Sequence, residues 1–161
     1  MLIAQVGRND LNNQADAYEE FTIVAEAINP SFNDSTKEYD RMLLKLSGTS
    51  SHAFLPIGRF FEPDSRGQSL TLIGFGDYSN NESLPNLLQE TVLEYIPNNV
   101  CEQEETPDVK YNHLIYPDML CAVSSNTSGF DTSFCSGNPG GPLVKLGISP
   151  VDDVLVGIKS W

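Results

Sequence analysis

The predicted fold class depends on one stretch, Gln89-Glu90-Thr91-Val92-Leu93-Glu94-Tyr95-Ile96. Polar and apolar side chains alternate along this stretch over eight positions. A period of two residues is typical of a half-buried β-strand. Short runs of the same kind lie outward on both sides, separated by clusters of Asn, Asp, Gly, Pro and Ser. They are Met1–Val6, Glu20–Ile28, Arg41–Leu46, Ser69–Gly76, Met119–Val123, Pro142–Leu146 and Val154–Trp161. No long segment has a helical period, so the pattern predicts an all-β barrel or sandwich.

The composition indicates a globular chain of 161 residues, with 40% hydrophobic and 19% charged residues. This length fits one domain, or two small domains that share a core. With 22 acidic and 9 basic residues, the net charge is −13. Such a chain repels phosphate backbones and anionic membrane surfaces, so we expect neither nucleic acid nor membrane as a partner. The first residues, Met1–Gly7, lack the basic flank and apolar core of a signal peptide.

Metal and nucleotide sites have little support in the sequence. The two histidines, His52 and His113, do not lie in a spaced cluster with cysteines or carboxylates, so no cofactor or metal is predicted. The motif Gly74-Phe75-Gly76 lacks the third glycine of a dinucleotide-binding loop. We interpret the acidic run Cys101–Glu105 as a solvated loop, because it lacks the spacing of calcium ligands.

The sequence also contains features that are common in secreted proteins. Asn33, Asn81 and Asn126 each begin an Asn-x-Ser/Thr acceptor sequence for N-glycosylation, whereas Asn29 is excluded because Pro30 follows it. Such sequences also occur by chance in loops rich in Asn and Ser, so their use stays open at this point. The three cysteines leave either one free thiol or one partner outside this chain.

The most specific segment runs from Asp131 to Val144 and contains a cysteine, then Gly-x-x-Gly-Gly-Pro, then apolar residues. It resembles the chymotrypsin/trypsin-like serine proteases, in which this loop reads Gly-Asp-Ser-Gly-Gly-Pro. Five further blocks resemble segments of the same family, and all six occur in the family's order. The five are Ala27–Asn33, Tyr39–Leu46, Leu72–Gly76, Met119–Ala122 and Val156–Trp161.

The resemblance implies a trypsin-like double antiparallel β-barrel that is incomplete at both ends. Residues 1–46 would be a remnant of the first barrel, residues 47–68 the inter-barrel linker, and residues 69–161 the second barrel without its last strand and C-terminal helix. Open barrels leave unpaired strand edges, which promote aggregation. We therefore expect another chain to supply the remaining pieces, the sheets to rearrange, or the chain to be a fragment.

The resemblance also implies a cysteine pairing. Cys101 and Cys121 match a pair that the family bridges by a disulfide. Cys135 matches a cysteine whose partner would follow Trp161, so its state in this chain stays open. Three unrelated buried thiols are the alternative interpretation.

The resemblance further implies a degenerate active site. Asp40 matches the carboxylate of the catalytic triad, but no histidine precedes it, and both His52 and His113 are interpreted as surface residues. Pro139 takes the serine position and has neither a hydroxyl nor an N–H group. Since the serine's own amide is one of the two oxyanion-hole donors in this family, only the amide of Gly137 would remain.

Two further positions extend this interpretation. Asn138 replaces the aspartate that the family pairs with the new N-terminal amine after zymogen cleavage. Ser133 matches the floor of the substrate pocket, Phe134 would partly fill that pocket, and Trp161 would line the cleft. Asp131 lies two positions from Ser133, so a small shift in the match would change the pocket floor.

The sequence therefore predicts a non-catalytic homologue of a serine endopeptidase, acting as a secreted binding or decoy module with a protein or peptide ligand in the cleft. Loss of the serine or the histidine alone costs about 10⁶ in turnover in a comparable triad. The alternative is an active trypsin-like endopeptidase whose histidine exon and serine codon are lost or misread. A fragment that does not fold alone is a third possibility.

Overall fold

The computed structural model describes residues 1–58, 66–76, 85–104, 110–124 and 139–161, and the regular secondary structure of these residues is almost entirely β-strand. The strands there are Ile3–Val6 (β1), Glu19–Ile28 (β2), Met42–Leu46 (β3), Ser69–Gly74 (β4), Gln89–Ile96 (β5), Cys121–Ser124 (β6), Pro142–Lys145 (β7) and Val154–Ile158 (β8). The all-β prediction is confirmed. Two short helical segments, the α-helical turn Asn98–Cys101 (α1) and the 3₁₀ turn Pro150–Asp152, were not predicted, because three or four residues are too few to show a helical period.

The described chain forms two compact units. Met1–Phe54 and Asn86–Leu88 make up the first unit, and Leu55–Pro85 and Gln89–Trp161 make up the second. The domain boundaries predicted from the sequence stay a prediction. Within the described residues, no helix has the length and apolar character needed to cross a bilayer.

The first unit contains a three-stranded antiparallel sheet in the order β1-β2-β3. In the β2–β3 pair, Ile28 lies opposite Met42 and Ile23 opposite Leu46, with an irregularity in register after Ile23. Several apolar side chains of this sheet are exposed, with Leu43 at 75% and Ile28 at 62% of their full accessibility. This sheet therefore contributes little buried apolar surface of its own.

The second unit contains a five-stranded antiparallel sheet in the order β6-β5-β4-β7-β8, with β4 in the centre. The alternating residues Leu70 and Leu72 of β4 share one face, where Leu70 lies opposite Leu93 of β5 and Leu72 opposite Leu143 of β7. These four leucines form the buried core cluster. Burying one such side chain contributes about 1.5–3 kcal/mol. In the described parts of both units the sheets remain open, which agrees with incomplete β-barrels.

A disulfide bond joins Cys101 at the end of α1 to Cys121 at the start of β6. Cys101 is buried, so the helix adjoins the core, although the sequence had suggested a solvated loop for Cys101–Glu105. The Nδ2 of Asn98 donates hydrogen bonds to the carbonyl oxygens of Met119 at 2.9 Å and Tyr116 at 3.3 Å. Covalent and polar bonds thus fasten α1 to the residues that lead into β6.

Replacing both cysteines of this bond, as Cys101→Ala with Cys121→Ala, should lower the free energy of unfolding by about 3 kcal/mol. The bond closes a loop with a sequence separation of 20, and closing such a loop removes that much entropy from the unfolded chain. Urea unfolding followed by circular dichroism measures the change. Reductant should shift the midpoint of the wild-type protein and leave that of the double variant in place; equal stability of the two oxidised proteins would contradict the prediction.

Candidate functional site

Pro139 lies in an exposed turn directly before β7. The next residue, Gly140, has a φ of 88°, a conformation that residues with a side chain rarely adopt. The N–H of Gly140 donates to the carbonyl oxygen of Lys159 at 2.8 Å, and the N–H of Lys159 donates to the carbonyl oxygen of Gly141 at 2.9 Å. These two bonds extend the pairing of β7 with β8 past Pro142, so the turn is held to the chain that follows β8.

The chemistry available at residue 139 follows from the proline ring. The ring has no hydroxyl oxygen, and its nitrogen carries no proton, so the only backbone hydrogen-bonding group of Pro139 is its carbonyl oxygen. A carbonyl oxygen accepts hydrogen bonds and repels a developing oxyanion. Pro139 therefore cannot serve as a nucleophile or as an oxyanion-hole donor.

Trp161 lies at the same end of the β7–β8 pair as Pro139, two residues beyond Lys159. Its side chain is 47% exposed. The indole stacks on the ring of Tyr111, with ring centroids 6.1 Å apart and an angle of 25° between the planes. The two rings form a partly exposed aromatic surface beside the turn.

Several residues that the sequence placed in this site fall outside the described residues. They are the oxyanion donor Gly137, the pocket residues Ser133 and Phe134, the thiol of Cys135 and Asn138. Their predicted roles stay predictions. The structure places Pro139 and Trp161 at one end of a strand pair, and it describes Asp40 within the first unit.

Asp40 lies directly before β3 and is exposed. It is the central residue of a tight turn in which the N–H of Arg41 donates to the carbonyl oxygen of Tyr39 at 2.7 Å. The Arg41 guanidinium lies 5.2 Å from the centre of the Tyr39 ring. In the catalytic triad, the carboxylate is buried and orients a histidine. The exposure of Asp40 differs from that arrangement.

Both histidines have exposed side chains, as the sequence predicted. The His52 ring packs against the backbone of Gly7, where a Cβ atom would lie 2.5 Å from Nε2. His113 takes part in a turn and has a φ of 63°. Within the described ranges, no three side chains of His, Cys, Asp and Glu are grouped so as to hold a metal ion.

A cluster of Glu19 with two serines was not found by sequence reasoning, because its members are 32 positions apart. The Oε1 atom of Glu19 accepts hydrogen bonds from the Ser51 hydroxyl at 2.6 Å and the Ser51 N–H at 2.9 Å. Hydrogen bonds from the side chains of Ser50 and Ser51 lower the pKa of Glu19 to about 2. The Ser51 hydroxyl is directed at a carboxylate rather than at an imidazole. The cluster therefore anchors the chain that follows β3 to the start of β2, and it does not form a triad.

Comparison with known proteins agrees with the sequence and the fold. A family model described as Trypsin matches residues 3–161. The chain is 30% identical to trypsin theta of Drosophila melanogaster over 84% of its own length and 48% of the relative's length. It is 30% identical to kallikrein-8 of Rattus norvegicus over 98% of its own length and 56% of the relative's length. The chain thus spans about half the length of these relatives, and it belongs to the chymotrypsin/trypsin-like serine protease family.

The Glu19 cluster predicts a specific acid sensitivity of the first unit. Because the folded-state pKa of about 2 lies below the ordinary 4.5, the stabilisation is present above about pH 4.5 and is lost as the pH falls toward about 2. Glu19→Gln should therefore be less stable than the wild-type protein at neutral pH. The two proteins should become equally stable in acid, as measured by thermal unfolding at a series of pH values.

Glu20→Gln is the matched control, since the Glu20 carboxylate lies outside the serine cluster and accepts a long hydrogen bond from Gln5 at 3.4 Å. The loss of stability in acid that Glu19 contributes should remain in this variant, because the bonds from Ser51 to Glu19 are unchanged. The same pH dependence in both variants would contradict the assignment to Glu19.

Proposed function

We propose that this member of the serine protease family does not catalyse proteolysis and instead binds a protein or peptide ligand. The observation that carries the proposal is Pro139. By its resemblance to the family loop it takes the serine position, and it lies in a turn whose glycines bond to Lys159 beyond the end of β8.

Two separate catalytic functions depend on that position. A serine would supply the attacking oxygen, and its amide would supply one donor of the oxyanion hole. Loss of the nucleophile costs about 10⁶ in turnover in a comparable triad. Loss of one oxyanion donor costs about 10²–10³ in enzymes that keep the other groups. A protein that lacks both has no physical basis for peptide hydrolysis above background.

The aromatic surface of Trp161 and Tyr111 supports a binding role. Trp161 is about half exposed and is stacked on Tyr111, which limits the entropy lost on binding. Aromatic side chains are enriched among the residues that carry most of the binding energy in protein interfaces. The proposed ligand is therefore a peptide segment that covers this surface beside the Pro139 turn.

We also propose that the protein is secreted, because disulfides such as Cys101–Cys121 form and persist in oxidising compartments. Family membership favours an active endopeptidase as the competing function. That function requires a hydroxyl nucleophile at a position other than residue 139.

The purified protein should neither hydrolyse a panel of fluorogenic peptides nor react with a fluorescent phosphonate that labels activated serines. An active trypsin serves as the positive control in both assays. Pro139→Ser restores the hydroxyl and the amide at this position, yet we expect no hydrolysis from it either, because the exposed carboxylate of Asp40 differs from the buried carboxylate that orients the histidine of a triad.

Pro139→Ala separates the possible outcomes. Hydrolysis that co-purifies with the folded chain and persists in this variant would show a nucleophile elsewhere and overturn the proposal. Phosphonate labelling that peptide mapping assigns to a serine of this chain would overturn it as well. Absence of both, in a protein that unfolds cooperatively, supports it.

A further inference from the structure

We propose that Asn33 is an N-glycosylation site, so that an oligosaccharide is attached to the loop between β2 and β3. Asn33-Asp34-Ser35 is an Asn-x-Ser acceptor sequence in which the middle residue is not proline. The inference rests on the proposed secretion of the protein, but it uses no residue of the candidate site and does not depend on whether the protein is catalytic.

The acceptor sequence lies at an exposed part of the loop. Asn33, Asp34 and Ser35 are all exposed. The N–H of Asn33 donates to the carbonyl oxygen of Glu38 at 3.1 Å, and the N–H of Lys37 donates to the carbonyl oxygen of Asn33 at 2.7 Å. These bonds close a narrow loop that presents the acceptor sequence to solvent. A glycan is bulky and hydrophilic, so it is accommodated at such a position without displacing packed groups.

The hydrogen bonds of the Asn33 side chain leave the acceptor nitrogen available. Its Oδ1 atom accepts a hydrogen bond from the N–H of Ser35 at 3.0 Å. Among the described residues, its Nδ2 atom donates no hydrogen bond. A sugar on Nδ2 leaves both Oδ1 and the backbone bonds of the loop intact. The folded loop is therefore compatible with the modified side chain as it stands.

The negative charge of Asp34, which follows the acceptor Asn33, is paired with a positive charge. The carboxylate of Asp34, the middle residue of the acceptor sequence, forms an ion pair with the ammonium group of Lys37. Lys37 adopts a φ of 59° within the same closed loop. The ion pair keeps the Asp34 carboxylate close to a positive charge.

The chemical step is a glycosyl transfer with no change of oxidation state. The Nδ2 atom of Asn33 forms a bond to the anomeric carbon of an oligosaccharide that is carried on a lipid pyrophosphate. The bond between that carbon and the pyrophosphate oxygen breaks, the lipid pyrophosphate leaves, and Nδ2 gives up one proton. The host's membrane-bound oligosaccharide transferase catalyses the step.

A second observation supports the proposal, because it favours the compartment in which this transfer occurs. The Cys101–Cys121 disulfide requires an oxidising compartment, and the secretory lumen provides both that environment and the glycosylation machinery.

The loop also contains an internal control. Asn29 makes the same type of turn as Asn33, because its Oδ1 atom accepts a hydrogen bond from the N–H of Ser31 at 2.9 Å. Pro30 in the middle position blocks the acceptor sequence there. The two sites therefore share their local geometry and differ in the middle residue of the acceptor sequence, which decides whether the asparagine can be glycosylated.

The test expresses the chain in a eukaryotic secretory host behind a cleavable leader. Peptide N-glycosidase treatment in heavy-oxygen water then marks each formerly glycosylated asparagine, and peptide mapping separates Asn33 from Asn81 and Asn126. Ser35→Ala should abolish the mark at Asn33, because it removes the acceptor hydroxyl but keeps the backbone N–H that bonds Oδ1. Ser35→Thr should retain it, and Pro30→Ala should add a mark at Asn29.

An Asn33 mark in the wild-type and Ser35→Thr proteins that is lost in Ser35→Ala supports the proposal. An unmodified Asn33 peptide in the secreted wild-type protein overturns it, whether or not Pro30→Ala gains a mark. Asn33→Asp is the folding control for an unglycosylated residue 33. This variant cannot be glycosylated, but it keeps an acceptor oxygen for the Ser35 N–H. A mark that persists at residue 33 in Ser35→Ala would also overturn the proposal.

Discussion

Burial of Leu70 and Leu72 on one face of β4 is the interaction on which the second unit depends. Because β4 is the central strand, it pairs with β5 through Leu93 and with β7 through Leu143. The same leucine cluster therefore fixes the register on both sides of the sheet. The position of β7 in turn determines where the Pro139 turn lies, since only Gly140 and Gly141 separate Pro139 from the strand. The hydrophobic core and the candidate site are thus linked by a few residues of backbone.

The strand pairing around the Pro139 turn does not depend on the side chain of residue 139. The bonds between the glycines of the turn and Lys159 use main-chain atoms, and none of them requires a serine or an amide proton at residue 139. The positive φ lies at Gly140, where a glycine is present. Proline at residue 139 therefore brings neither a hydroxyl nor an N–H group to the turn and leaves the strand pairing intact. Function depends on the site and not on the fold alone.

The first unit depends more on polar contacts than on a core. Its sheet leaves apolar side chains such as Leu43 exposed, whereas the Glu19 carboxylate accepts hydrogen bonds from the chain that follows β3. The loop between β2 and β3 is closed by main-chain bonds between Asn33 and Glu38 and between Lys37 and Asn33. Carboxylates and short polar side chains thus order segments that bury little apolar surface. Such contacts respond to pH, because a carboxylate accepts these bonds well only when it is ionised.

The sequence alone determined the strands and the chemistry of residue 139. The alternation of polar and apolar side chains around Leu93, with turn residues between such runs, predicted strands whose bounds lie close to those observed. This is possible because side-chain periodicity is a local property of the sequence. The absence of a hydroxyl and an amide proton at Pro139 follows from the residue itself. Only the tertiary structure decided which strands pair, that Ser51 bonds Glu19 and that Trp161 stacks on Tyr111. These contacts join residues far apart in the chain, and their geometry depends on how the whole sheet brings them together.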